Sequence, residues 1–260
     1  MSTLSQALRH RVAAVAPGLA FMAFWVAVLE IAARAGWVNR VFSPFPSEIG
    51  ARLGGVLGSP AFLEGLGSTL GLLAAGYLLA CAAGILLGLA MGYHRPTYAL
   101  LEPTLELLRP IPKPALLPPL ILLLGLDAAM KITIIFLGAL FPVLINAIQG
   151  VRTVDPVLID VARTFRSGHL RTVFRVILPA SLPMILSGMR VSLGLGLILV
   201  ILAEMLTGSQ GLGAQLVDAQ RAFRVQEMYA WTVVLAALGL ALALSFDALE
   251  QRLIFWNSRR

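Results

Sequence analysis

Arg109, Lys113 and Arg190 lie beside or within long apolar runs of this chain, and a cation in such a place has few uses. Near the centre of a bilayer it costs roughly 2.5–3.5 kcal/mol, so it reaches for the interface, pairs with a carboxylate, or lines water through which an anion can pass. Snorkelling and a cationic lining both fit Arg109 and Lys113, and the same two readings apply to Arg190, near the edge of its run. Bond-making chemistry has no comparable foothold. His10, His94 and His169 are scattered, none at metal-ligand spacing from another, and Cys81 is the only cysteine, which excludes an intrachain disulfide and a cysteine metal cluster. The sequence contains no G-x-x-x-x-G-K-[ST], H-E-x-x-H or G-x-S-x-G. Its serines, lysines and carboxylates form no constellation that nominates a nucleophile and a base. The chain is therefore expected to be non-catalytic, without a metal or cofactor of its own.

The elements that position these cations follow from composition. Of 260 residues, 58% are hydrophobic and 13% charged, and the mean hydropathy is +0.87. That leaves too little polar surface to solvate a globule, so lipid is the expected solvent. A formal charge of +7 would raise nucleic acid as a partner of a soluble chain; its positions along this chain favour membrane flanks instead. A span needs about 20 apolar residues to cross roughly 30 Å of hydrocarbon. Six runs qualify, at about 14–33, 66–92, 100–124, 131–150, 183–204 and 228–249. The first is too long, and the rest of the chain too apolar, for a cleaved signal ahead of a soluble domain. The reading is an all-α integral membrane protein, with one transmembrane domain at 14–250 between an N-terminal segment 1–13 and a basic tail 251–260. In the third run, "RPIPKPALLPPL" (109–120) carries five prolines, so that span is expected to be kinked or partly unwound and to face the bundle interior.

Two runs repeat small residues every four positions: Gly76, Ala80, Gly84, Gly88 and Gly92 in one, Gly188, Ser192 and Gly196 in the other. Residues four apart share a helix face, and small ones let backbones approach closely, so both stripes are expected to be packing seams. Glu30 and Arg34 are spaced to pair along one helix. Glu204 ends the fifth run, before the turn-rich "TGSQGLG" (207–213), which reads as an external glycine loop.

Between the fourth and fifth runs lies the insert "DVARTFRSGHLRTVFRVILPASLP" (160–183). Asp155-Pro156 reads as a helix start, and Leu158, Val161, Ala162 and Phe165 recur on one face with Asp160, Arg163 and Arg166 around it. Ser167-Gly168 is expected to break this helix, a second helical pattern follows through Ile177, and "LPASLP" (178–183) is expected to break the chain again. Arg152, Arg163, Arg166, Arg171 and Arg175 are opposed there only by Asp155 and Asp160, which places the insert in the cytoplasm. Six spans then put both termini inside too, in agreement with Arg9, Arg11, Arg252, Arg259 and Arg260. The charge pattern would also allow a basic interfacial helix lying on anionic headgroups.

The insert resembles the E-A-A loop of permease subunits of binding-protein-dependent ATP-binding cassette importers. Asp160, Val161 and Ala162 stand at the three lettered positions, Arg166 where the family has glycine, with Gly168 two places on, and Ile177, Leu178 and Pro179 at the far end. With "FPVLINAIQGVRTVDP" (141–156) before it and "SGMRVSLGLGLILVILAEMLTGSQGLG" (187–213) after, the chain over about 65–250 is similar to the nitrate, sulfonate and taurine branch. The resemblance implies a type I, MetI-like architecture whose loop 151–182 carries a coupling helix, here Asp160, Val161, Ala162, Arg163, Thr164, Phe165 and Arg166. It further implies a second permease subunit (identical or closely related), two cytoplasmic ATPase subunits that hold ATP and Mg, an external solute-binding protein, and a place in the cell inner membrane. The implied solute is a small anion such as a sulfonate, taurine or nitrate. Two rivals stand beside it: an importer of a neutral or cationic solute such as a vitamin precursor, and an ion-coupled secondary transporter, which is expected to carry coupling carboxylates inside its spans.

Overall fold

The computed structural model describes residues 2–39, 42–208 and 210–254, with the backbone alone at 2–15 and at Leu19. Arg40, Arg259 and Arg260 lie outside the described residues, as do the side chains of Arg9, His10 and Arg11. Every regular element among the described residues is helical: α1 (Ser2–Arg34), α2 (Pro46–Leu57), α3 (Pro60–Tyr93), α4 (Arg95–Leu108), α5 (Leu117–Leu124), α6 (Ala128–Arg152), α7 (Pro156–Thr164), α8 (His169–Thr172), α9 (Leu178–Thr207), α10 (Leu212–Arg221) and α11 (Val225–Leu253). A 3₁₀ turn at Lys113–Leu116 precedes α5, and a π-helical stretch at Val173–Ile177 joins α8 to α9.

Five helical segments are long and apolar enough to cross a membrane, and there are six if α4 and Lys113–Leu124 count as one span, bent by 83°. The bend falls at the proline cluster, as the sequence reading expected. Pro110, Pro112 and Pro114 cannot donate to a preceding turn, whereas Pro118 and Pro119 sit at the start of α5, where no intrahelical donor is required. Between the spans, Pro46–Leu57 and Leu212–Arg221 fold into the short helices α2 and α10. Each is too short to span, and together they close an apolar cluster of Val56, Leu212, Ala219 and Trp231 against α11. Glu30 pairs with Arg34 at 2.6 Å and also accepts from the Ser47 amide and hydroxyl, so the end of α1 is fastened to the start of α2.

The bundle is built around α6, which packs along α3 and along α9. On the α3 side, a Cβ placed on Gly76 would come within 2.7 Å of Ile135, on Gly84 within 2.9 Å of Val143 and on Gly92 within 2.6 Å of Val151, and at Gly88 it would overlap the Ala147 methyl. Ala80, in register with them, is completely buried. On the α9 side, Gly188 faces Asn146 and the Pro142 carbonyl, Ser192 is buried, and Gly196 meets Leu73. Lipid offers no hydrophobic drive for helix association, so such close approach is what holds these helices together. Gly88→Val is expected to destabilise the bundle by about 1–3 kcal/mol through overpacking. Gly67→Val, on the same helix but with open space around it, should be near neutral. Thermal unfolding of the two variants in detergent checks this.

The expected second break, at "LPASLP", does not occur. The helix runs without interruption from His169 to Thr207, with Pro183 inside it. The π-helical stretch just upstream supplies the reason. Pro179 would crowd the carbonyl four residues back, that of Arg175, and the wider π turn relieves this clash without ending the helix.

Candidate functional site

The knob between α6 and α9 is assembled locally. Asp155 accepts from the Val157 amide at 2.9 Å and Pro156 opens α7, so the start of the helix is capped by side-chain and backbone choices made in sequence. Its end is a Schellman turn: the Ser167 amide donates to the Ala162 carbonyl at 3.0 Å, and Arg166 occupies the left-handed position with φ of 50°. Any side chain there costs about 1–2 kcal/mol relative to a right-handed residue, and this cost accounts for glycine at that position in the family pattern. Thr164 donates its hydroxyl to the Asp160 carbonyl, and Asp160 pairs with Arg163 at 3.2 Å on the exposed side. Gly168 precedes α8, which Thr172 ties back through a hydroxyl bond to the Gly168 carbonyl.

Beneath the knob, Leu89, Val151, Val154 and Ile177 form a buried cluster joined by Ile159 and Leu178, and the Tyr93 hydroxyl meets His169 Nδ1 at 3.0 Å. The knob is thus seated on the ends of α3, α6 and α9. The seven residues from Asp160 to Arg166 do not share one face. Ala162 is 7% exposed and packs inward, whereas Val157, Leu158, Val161 and Phe165 are exposed, Phe165 at 81%. Contiguous exposed apolar side chains of this kind are the type of surface that marks an interaction site. Leu178 and Pro179 open α9 behind the knob and lie outside that face.

The three cations picked from sequence separate into two places. A cavity of about 180 Å³ between α4 and α6 is lined by Tyr98, Glu102, Glu106, Arg109, Gln149 and Arg152, with Phe141 also in its wall. Arg109 pairs with Glu106 at 3.6 Å, Arg152 stacks 3.6 Å from the Tyr98 ring, and Tyr98 donates to Glu102. Lys113 donates to the Leu108 carbonyl and lies 4.3 Å over the Phe141 ring. Arg109 and Lys113 therefore flank one cavity. Arg190 does not join them: it pairs with Asp247 at 2.6 Å and with Glu250, fixing α9 to α11.

A second polar centre lies at the opposite end of α9 from the knob; the sequence reading named its carboxylate, Glu204, but not the groups that meet on it. Glu204 is 0% exposed, accepts from the Thr69 hydroxyl at 2.8 Å and from the Gly213 amide at 2.9 Å, and faces the positive charge of Lys131, itself only 5% exposed. Thr69 accepts in turn from the Leu212 amide at 3.0 Å. Four helices, α3, α6, α9 and α10, thus meet on one carboxylate. The "TGSQGLG" stretch is shaped by it: Gly208 ends α9 with φ of 59°, and a Cβ on Gly211 would overlap the Glu204 carboxylate. A carboxylate closing an apolar run, followed by closely spaced glycines, was the available signal; Lys131, 73 residues away in sequence (204 − 131), could be matched to it only through the fold.

Comparison with known proteins agrees with this architecture. Over 73% of its length the chain superposes, at a TM-score of 0.61 and 19% identity, on 94% of a chain from an inward-facing MetNI methionine ABC transporter, a likeness of fold. SsuC of Bacillus subtilis strain 168, whose name assigns it to aliphatic sulfonates transport, is 32% identical over 93% of this chain and 87% of its own length. The taurine transport system permease protein TauC of Escherichia coli K12 is 30% identical over 85% of this chain and 82% of its own. Residues 80–255, which hold α6, the knob and the buried carboxylate, match the family model of the binding-protein-dependent transport system inner membrane component. This chain belongs to that family, as a multi-pass, non-catalytic permease subunit of an ABC importer.

Proposed function

We propose that the chain forms the translocation pathway for a small anion of the sulfonate, taurine or nitrate class. The observation that carries the substrate class is the pair of relatives above, named for aliphatic sulfonates and for taurine, each alike over more than four fifths of this chain. The cavity supports it, since Arg109, Arg152 and the nearby Lys113 place three cations around one space at the knob end of the bundle. Glu102 and Glu106 in the same wall favour a second reading, a neutral or cationic solute.

In the assembly, two copies of the chain, or this chain and a close relative, pair in the cell inner membrane with both termini in the cytoplasm. Two ATP-binding subunits, which hold ATP and Mg, seat on the exposed face of α7, residues Asp160 to Arg166 forming the coupling segment. A solute-binding protein delivers from outside, and nucleotide-driven closure moves one bundle against the other. Proteoliposomes containing the chain, its ATP-binding subunit and its binding protein are expected to accumulate labelled taurine or an alkanesulfonate only when ATP is supplied on the knob side. Uptake of a cationic solute that the anions do not compete with would overturn the substrate class, and uptake driven by an ion gradient without the ATP-binding subunit would overturn the energetics.

A further inference from the structure

The docking role given to α7 above rests on its apolar face and makes no use of its end. That end carries Arg166, held in the left-handed conformation that glycine adopts freely and arginine does not. A residue kept in a sparsely populated conformation points from the strain to a use for its side chain. The side chain has no intramolecular use: it is exposed and has no hydrogen-bond, ion-pair or ring partner among the described residues. Arg163, one turn earlier, already pairs with Asp160, so Arg166 is the uncommitted cation of this helix. It adjoins Phe165, the most exposed apolar side chain of the knob, and so stands at the rim of the surface that a partner would cover.

We propose that Arg166 pairs with a carboxylate at the edge of the groove on the ATP-binding subunit that receives α7, and that this pairing selects the cognate subunit. The proposal rests on the docking reading. An apolar anchor with a charge at its rim divides the work in the usual way: the anchor supplies affinity, the charge supplies orientation and discrimination. The charge of the knob sets the chemistry of the partner. Along the knob Arg163, Arg166, Arg171 and Arg175 outnumber Asp155 and Asp160, so a groove lined with cations would be repelled and an acidic one attracted.

The test is equilibrium binding of the purified cognate ATP-binding subunit to the permease in nanodiscs of neutral lipid and of anionic lipid. Arg166→Gly is expected to weaken binding about tenfold and to flatten its salt dependence between about 0.1 M and about 1 M. Its thermal unfolding should be unchanged or raised, because the backbone strain is gone. Arg166→Lys, which keeps the charge, should retain most of the affinity, and Arg166→Glu should lose more than the glycine variant. Binding of Arg166→Gly equal to wild type overturns the proposal, as does an effect confined to anionic nanodiscs, which would assign the side chain to lipid headgroups. Phe165→Asp separates the two levels. If it binds normally too, the docking reading falls; if it fails to bind while Arg166→Gly is silent, docking stands and the role of Arg166 falls.

Discussion

Phe165→Asp is expected to abolish association with the ATP-binding subunit while leaving membrane insertion and the folded bundle intact. The side chain is 81% exposed, at the end of the apolar face of α7, so nothing within the chain depends on it. Truncating a central aromatic anchor costs roughly 2–4 kcal/mol, and a carboxylate buried in its place adds desolvation, which brings the expected loss to about a hundredfold or more. Val161→Asp should act in the same direction with a smaller effect. Ala162→Asp would also abolish association, but for a mixed reason: Ala162 is buried on the inner side of the helix, so a carboxylate there disturbs the seating of the knob itself. Co-purification from membranes, read beside the elution volume of the solubilised permease, checks the result. Normal association of both exposed-face variants would remove α7 from the interface.

Removing the carboxylate of Glu204 is expected to be the most damaging single change to stability. Glu204→Ala would leave the Thr69 hydroxyl and the Gly213 amide in a buried site without their acceptor. Each buried donor left without a partner costs about 1–3 kcal/mol, so the expected loss is several kcal/mol. Glu204→Gln preserves an acceptor and should retain part of the stability. Reversible unfolding in mixed micelles measures the wild type and both variants. A Glu204→Ala variant within about 0.5 kcal/mol of wild type would show that the carboxylate is not structural.

The features visible in the sequence were those whose cause is local. The prolines of 110–119 announced the 83° bend, because each acts on its own turn of helix. Asp155-Pro156 announced the start of α7 for the same reason. "LPASLP" misled because the compensation lies elsewhere: the π-helical stretch over Val173–Ile177 absorbs Pro179, and a proline motif read by itself cannot reveal it. Charged groups were the hardest to place. Arg190 and its partners Asp247 and Glu250 are on different helices, and so are Glu204, Thr69 and Lys131; spacing along the chain carries no information about such meetings. Arg166 is intermediate. Its departure from the family pattern was plain, but only the backbone angle shows that the glycine conformation has been kept and the glycine has not.

The uninterrupted helix from His169 to Thr207 has a mechanical consequence. At 1.5 Å per residue it is a lever of roughly 58 Å, and swinging it by about 10° carries one tip about 10 Å relative to the other. One tip adjoins the knob and the other holds Glu204, so a tilt imposed on α7 by the docking proposed above would be read out as a displacement beside the buried carboxylate.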